Sequence, residues 1–271
     1  FQARHGLEQD ALIGKRTLAA LNATVEQRIG QIRLNMERTR QVFATQREDF
    51  MLVNIPAFSV TLYRDGQPHV VKRVIVGATD MQTPLFEAPL KFVVLNPTWS
   101  VPRKIASEEL LPKIQADLGY LARNGYDVLD RDGNALEPGS LDWNSLHRNN
   151  FPYTLVQRPG PGNELGRIKF LFPNEYGVCM HDTQKKFLFA RDSRAFSHGC
   201  VRMKDPVEFA GHLLGPEGWT NERITAQLET QETYTIALQE PPPVVLVYLT
   251  VEANDDGTVY FYRDIYGRDA G

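Results

Sequence analysis

Val25, Ile29, Ile32, Met36 and Phe43 recur at steps of four and three, while Arg28, Arg33, Glu37, Arg38 and Arg40 fill the other sides. That period predicts one long amphipathic helix packed on a neighbour through its apolar stripe. Thr24 and Gln27 fit a capping box at its start. Ahead of it, "KRTLAALN" carries Leu18 and Leu21 and reads as a short helix after Gly14. From Phe50 the period drops to two. "FMLVNI", "FSVTLY" and, across an Asp65-Gly66 turn, "HVVKRVIVG" read as strands. "KFVVLN" ends at Pro97, and "IKFLF", "YGVCMH" and "KFLFA" follow as further strands. The pattern closes with "VVLVYLTVEA", an Asp256-Gly257 turn and "VYFYRDIY".

Two stretches interrupt the strands. In residues 103–167, "KIASEELLPKIQADLGYLARNGY" predicts two short helices split at Pro112, and "RDGNALEPGS" and "RPGPGNELG" predict loops. A long insertion between strands is expected to be a cap or lid over a cleft. "DPVEFAGHLLG" predicts a helix capped by Asp205, with Pro206 in its first turn and Gly215-Pro216 at its end. The fold class is therefore mainly β (α+β): a β-sandwich or partly closed barrel carrying an inserted, mostly helical cap.

The net charge of −3, with no run of lysines or arginines, argues against nucleic acid as a partner. The longest apolar run, Val244 to Leu249, has strand length and falls short of the ~20 residues of a membrane span. Only Cys179 and Cys200 are present, too few for a disulfide scaffold, although one bridge between them stays open.

Cys200 ends the segment "HDTQKKFLFARDSRAFSHGC", which starts at His181. A cysteine attacks a carbonyl as thiolate, and a neighbouring imidazole can take its proton. His198 stands two residues before Cys200 and would share its side in an extended segment. His181 reaches it only through the fold. Gly199 allows tight backbone geometry, so that main-chain N–H groups can meet a carbonyl oxygen as an oxyanion hole.

A histidine followed at this distance by "SHGCVR" (197–202) resembles the signature of the L,D-transpeptidases, the YkuD-domain family. "NPTWSVPRKIA" and "KFLFPNEYGVCMHDT" resemble other segments of that family, and the opening "FQARHGL…IGKRTLAALN" is similar to the end of a peptidoglycan-binding domain. The layout resembles the large type of diderm bacteria, with a wall-binding module and an inserted cap. The resemblance implies residues 1–22 as a remnant of that module, 23–47 as a linker helix, and 48–271 as the catalytic domain with its cap at about 103–167. It implies Cys200 as nucleophile, His181 as general base oriented by a main-chain carbonyl, and Gly199 with the Cys200 N–H as part of the oxyanion hole. Ser197, His198, Arg202, Trp99 and Tyr176 are implied as substrate-binding positions, with Arg202 holding a carboxylate.

The reaction implied is transfer between peptidoglycan tetrapeptide stems, one as donor and one as acceptor. A 3→3 crosslink forms between diaminopimelate residues through a thioester, and D-alanine is released. Hydrolysis of the same thioester is the alternative. No cofactor and no metal are implied. Carbapenem-class β-lactams are the implied inhibitors, and other wall synthases are possible partners. The periplasm is the expected compartment, with membrane anchoring or wall association through a preceding segment. A zinc site made of Cys179, His181, His198 and Cys200 is a rival reading, against which each pair has a spacing of one residue. An inert wall-binding module is another, against which both Cys200 and His181 are intact. Cys179 departs from the family pattern, which has an aromatic there.

Overall fold

The structure, a computed structural model, describes residues 1–45 and 47–269. Phe50–Asn54 pairs antiparallel with Ser59–Arg64, which pairs with Gln67–Gly77. Asp65 and Gly66 between the last two have φ of 50° and 70°, the left-handed pair that a tight hairpin turn requires. Alternation then sorts the side chains. Met51 and Val53 enter the main core, while Phe50 and Leu52 join Val245, Val247 and Leu249 in a smaller cluster on the other face. The first strand is thus covered on both sides.

Eleven strands form one curled sheet. Its order runs Tyr234–Ala237, Phe92–Leu95, Ile168–Leu171, Met180–His181, Val201–Met203, Gln67–Gly77, Ser59–Arg64, Phe50–Asn54, Pro243–Val247, Glu87–Pro89. Ala195–Ser197 pairs with Gln67–Gly77 off this path. The helices Pro206–Leu214 and Asn221–Glu229 pack into the sheet's main core, where Phe170 meets Phe209 edge-on at 5.8 Å between ring centres. This is the α+β architecture expected from the strand pattern.

The insertion has its own core, built from Val101, Leu110, Leu111, Ile114, Leu121, Trp143, Phe151 and Leu155 among others. Helices form one side and a four-stranded antiparallel sheet the other, in the order Trp99–Ser100, Thr154–Gln157, Tyr126–Leu129, Ala135–Leu136. Pro112 does not split its first helix. Ala106–Leu110 is a π-helical turn in which the Leu111 N–H reaches back to the Ala106 carbonyl, and the helix continues through Leu111–Ala116. Pro112 then sits in the first turn after the bulge, where a missing N–H costs little. The break comes instead at Asp117, which is extended (φ −159°).

Three other local expectations change. "KFLFA" is a 3₁₀ turn, Lys186–Ala190, rather than a strand. The Lys185 N–H bonds Thr183 Oγ1 and starts a tight turn, and five residues are too few for periodicity to decide. Asp205 occupies the N-cap position in a left-handed conformation (φ 50°) and makes no side-chain bond to the first turn of its helix. The long helix, Val25–Val42, has its capping box but docks by its polar face. Val25, Ile29, Met36 and Phe43 are exposed, and Asn35 is buried.

The surface opposite that helix explains the last result. It is the C-terminal segment, which offers hydrogen-bonding groups. Asn35 Nδ2 donates to Thr250 Oγ1 (2.8 Å), and the Thr250 N–H donates to Asn35 Oδ1 (2.7 Å). Arg38 pairs with Asp269 at 2.7 Å, and the Arg28 guanidinium lies 4.5 Å from the centre of the Phe261 ring. Asn35→Ala leaves the Thr250 N–H orphaned in a buried site. It should destabilise the protein by about 1–3 kcal/mol, read as a lower urea midpoint. An unchanged midpoint would remove Asn35 from the docking.

Candidate active site

Met180–His181 and Val201–Met203 lie side by side and parallel, with Met180 opposite Val201 and His181 opposite Arg202. Met180, Val201 and Met203 are fully buried in the main core. Because alternate residues of a strand face opposite ways, Cys179, His181, Cys200 and Arg202 share the other face. Lys169 stands opposite His181 on the next strand and joins the same row. Cys200 and His181 are therefore diagonal neighbours on one surface. No hydrogen bond joins them among the described residues.

Local chemistry fixes each strand's entry. Asn174 Oδ1 accepts from the Tyr176 and Val178 N–H groups (both 3.1 Å), which shapes the turn leading into Cys179. Before Cys200, Gly199 has φ 105°, a conformation that strains any residue with a β-carbon. The buried Ser197 Oγ accepts from the Gly199 N–H (3.2 Å) and donates to the Cys200 carbonyl. Thr83 Oγ1 donates to the Gly199 carbonyl (2.9 Å) and accepts from the Gly77 N–H (2.8 Å). Gly77 has no room for a larger residue, since a β-carbon there would lie 2.2 Å from the Met81 carbonyl oxygen.

Cys200 is partly exposed, and its sulfur sits in a field that favours ionisation. Cys179 Sγ is 3.6 Å away and the Cys179 N–H 3.4 Å away. The Cys179 S–H, donating to the sulfur, is the largest influence bringing the Cys200 pKa down to about 7. Burial opposes this, and the Cys179 N–H, Lys169 and Arg202 reinforce it. The same sulfur–sulfur contact, with burial, pushes the Cys179 thiol up.

His181 is buried, and burial with the Arg202 and Lys169 charges lowers its pKa to about 3, against the pull of the Asp182 and Leu165 carbonyls. It is neutral at physiological pH. Its Nδ1–H donates to the Asp182 carbonyl, which leaves Nε2 as the basic nitrogen.

The remaining expected residues fall in different places. Ser197 is a buried brace. The Gly199 N–H is committed to Ser197, whereas the Cys200 N–H has no partner among the described residues. His198 reaches the cap. Its Nε2 meets Glu109 Oε1 of the cap at 2.8 Å. Arg202 Nε is buried with no hydrogen-bond partner. Trp99 is half-buried against the cap's core. Tyr176 is exposed, with its ring centre 5.1 Å from that of Phe86. Cavities of about 350 Å³ beside Arg73, Arg191 and Arg194, and about 880 Å³ beside Pro241–Pro243, are lined by neither Cys200 nor His181. Chemistry, not concavity, marks the site. Among the described residues no group of three or more His, Cys, Asp or Glu side chains could hold a metal ion.

Lys169, Thr83 and Glu109 were not legible as site residues. Lys169 is one polar position in "IKFLF", and only the strand register brings it to His181. Replacing it with methionine removes a positive charge from the thiolate's surroundings. The midpoint of Cys200 alkylation should rise by roughly half a pH unit, the scale of one partly screened charge. An unmoved midpoint would show that the ammonium does not act on the sulfur.

The profile of the L,D-transpeptidase catalytic domain (YkuD) matches residues 48–241. A Haemophilus influenzae protein with a provisional L,D-transpeptidase name is 37% identical over 242 residues, covering 88% of this chain and 48% of its own. The chain thus spans about half the length of that relative. Among solved structures, the Enterococcus faecium L,D-transpeptidase catalytic domain acylated by ertapenem is 11% identical, with 75% of this chain and 100% of that one covered and a TM-score of 0.35. The Mycobacterium smegmatis L,D-transpeptidase is 12% identical, with 74% and 58% covered and a TM-score of 0.34. Such overlays are too loose to bear on the site. The profile, spanning most of the chain and including the histidine and the SHGC segment, places this protein in the L,D-transpeptidase catalytic-domain (YkuD) family.

Proposed function

We propose that the chain forms 3→3 crosslinks in peptidoglycan in the periplasm. Cys200 attacks the carbonyl at the L-centre of diaminopimelate in a donor tetrapeptide stem. The carbon–nitrogen bond to D-alanine breaks, and a thioester remains. The departing amine takes a proton through His181 Nε2, drawn from solvent when Cys200 starts as thiolate and from Cys200 itself when it starts as thiol. The side-chain amine of an acceptor stem then attacks the thioester. It loses its proton through Nε2 to solvent or to the departing sulfur, which leaves His181 neutral beside Cys200 again. The unpaired Cys200 N–H is suited to the oxyanion, and the partly exposed guanidinium of Arg202 to a stem carboxylate. The observation that carries the reading is a sulfur with a lowered pKa on the same face as a neutral imidazole, inside this family's signature.

Disaccharide-tetrapeptides incubated with the protein test this by mass spectrometry of the products. Crosslinked dimers that have lost D-alanine support transfer. Tripeptide alone supports the hydrolytic alternative, and unchanged substrate defeats both.

The contact between His198 and Glu109 supports a role for the cap in keeping water from the thioester. Glu109→Ala should shift the products roughly twofold or more toward tripeptide, about 0.4 kcal/mol or more of lost discrimination. An unchanged ratio would remove this contact from the mechanism.

A further inference from the structure

The transfer reaction uses one thiol, yet a second is held against it. Cys179 directly precedes Met180, and Cys200 directly precedes Val201, its partner in the ladder. The parallel register therefore continues to Cys179 beside Cys200. The Val201 N–H bonds the Cys179 carbonyl at 3.0 Å and locks that alignment. Adjacent strands run about 4.8 Å apart, which lies within the Cα separations a disulfide spans. The sulfurs, 3.6 Å apart, need only side-chain rotation to bond. The two differ in access: Cys179 is buried and Cys200 is partly exposed. An oxidant in solvent therefore meets Cys200 first.

We propose that Cys179 is the resolving thiol of Cys200, which makes the nucleophile a reversible site of peroxide modification. The Cys200 thiolate attacks one oxygen of hydrogen peroxide. A sulfur–oxygen bond forms, the oxygen–oxygen bond breaks, and hydroxide leaves and takes up a proton as water. Cys200 is then a sulfenic acid. The Cys179 sulfur attacks it, the sulfur–sulfur bond forms, and the hydroxyl departs as a second water with the Cys179 proton. Two electrons have passed from the thiol pair to the peroxide. A dithiol reductant returns them by exchange and restores both thiols. The disulfide silences acyl transfer while it lasts. It also diverts Cys200 from sulfinic acid, the irreversible next step on the oxidation ladder. The inference rests on Cys200 as the acyl-transfer nucleophile and adds a control on that same residue.

The reduced chain is exposed to a small excess of hydrogen peroxide at a pH of about 9.5, where Cys200 is ionised with or without Cys179, then unfolded in an alkylating agent and mapped by peptide mass. The wild type should lose two hydrogens and yield a linked Cys179–Cys200 peptide. Its acylation by a carbapenem should fall about tenfold or more and return with dithiothreitol. Cys179→Ala and Cys179→Ser, each compared with its own untreated sample, should instead gain two oxygens on Cys200 and stay inactive after dithiothreitol. The proposal is overturned if wild-type Cys200 reaches sulfinic acid as fast as in these variants, or if Cys179 remains alkylatable after peroxide. A linked peptide in a protein that takes no carbapenem before oxidation would keep the thiol pair and defeat the acyl-transfer reading instead.

Discussion

Cys200→Ser should abolish acyl-enzyme formation, with tetrapeptide turnover falling by at least about 10³-fold. The substitution barely changes size, so the loss reports on ionisation. A serine hydroxyl keeps its proton at neutral pH unless a strong base takes it. His181, with a pKa of about 3, is too weak a base for that. The thiol does not need such help, because the neighbouring S–H and N–H of Cys179 already stabilise its anion. Turnover and adduct mass are measured on the same sample, with a urea unfolding curve to confirm that the fold survives. A serine variant that still takes a carbapenem would mean that the nucleophile lies elsewhere.

His181→Gln should lower turnover by about 10²–10⁴-fold, the usual contribution of general acid–base catalysis. Glutamine keeps much of the volume and can donate its amide to the Asp182 carbonyl in place of Nδ1–H. It cannot relay a proton to the departing amine or away from the acceptor amine. The alkylation midpoint of Cys200 should stay within about half a pH unit of the wild type, since a neutral imidazole contributes little to the charge around the sulfur. A midpoint that climbs toward that of an ordinary thiol would reveal a thiolate–imidazolium pair in the resting enzyme. It would overturn the assignment of a neutral His181 beside an independently stabilised thiolate.

Short-range signals in the chain carried much of this. Period-two alternation around Asp65-Gly66 was enough for the hairpin, because its turn chemistry is local. Cys200 and His181 stood out because the signature brackets them. What the sequence withheld depended on partners. The stripe from Val25 to Phe43 marks a face of the helix but not which face meets a neighbour, and the polar C-terminal segment selected the other one. Pro112 breaks a standard α-helix, and the π-turn before it removes the conflict. Lys169 and Glu109 reach the site through strand register and cap docking, each tens of residues away from Cys200. The sequence shows that Gly199 has an N–H to offer but not that Ser197 Oγ, two residues earlier, already accepts from it.

Acyl transfer turns on one ionised sulfur at neutral pH. The most direct measurement is the pH dependence of carbapenem acylation, followed by intact mass, with the adduct located by peptide mapping. One adduct on Cys200, with a rate that rises through a midpoint near the Cys200 pKa of about 7 and then levels off, is the predicted result. An adduct on any other residue, or a rate still climbing through the range of an unperturbed thiol, would contradict it.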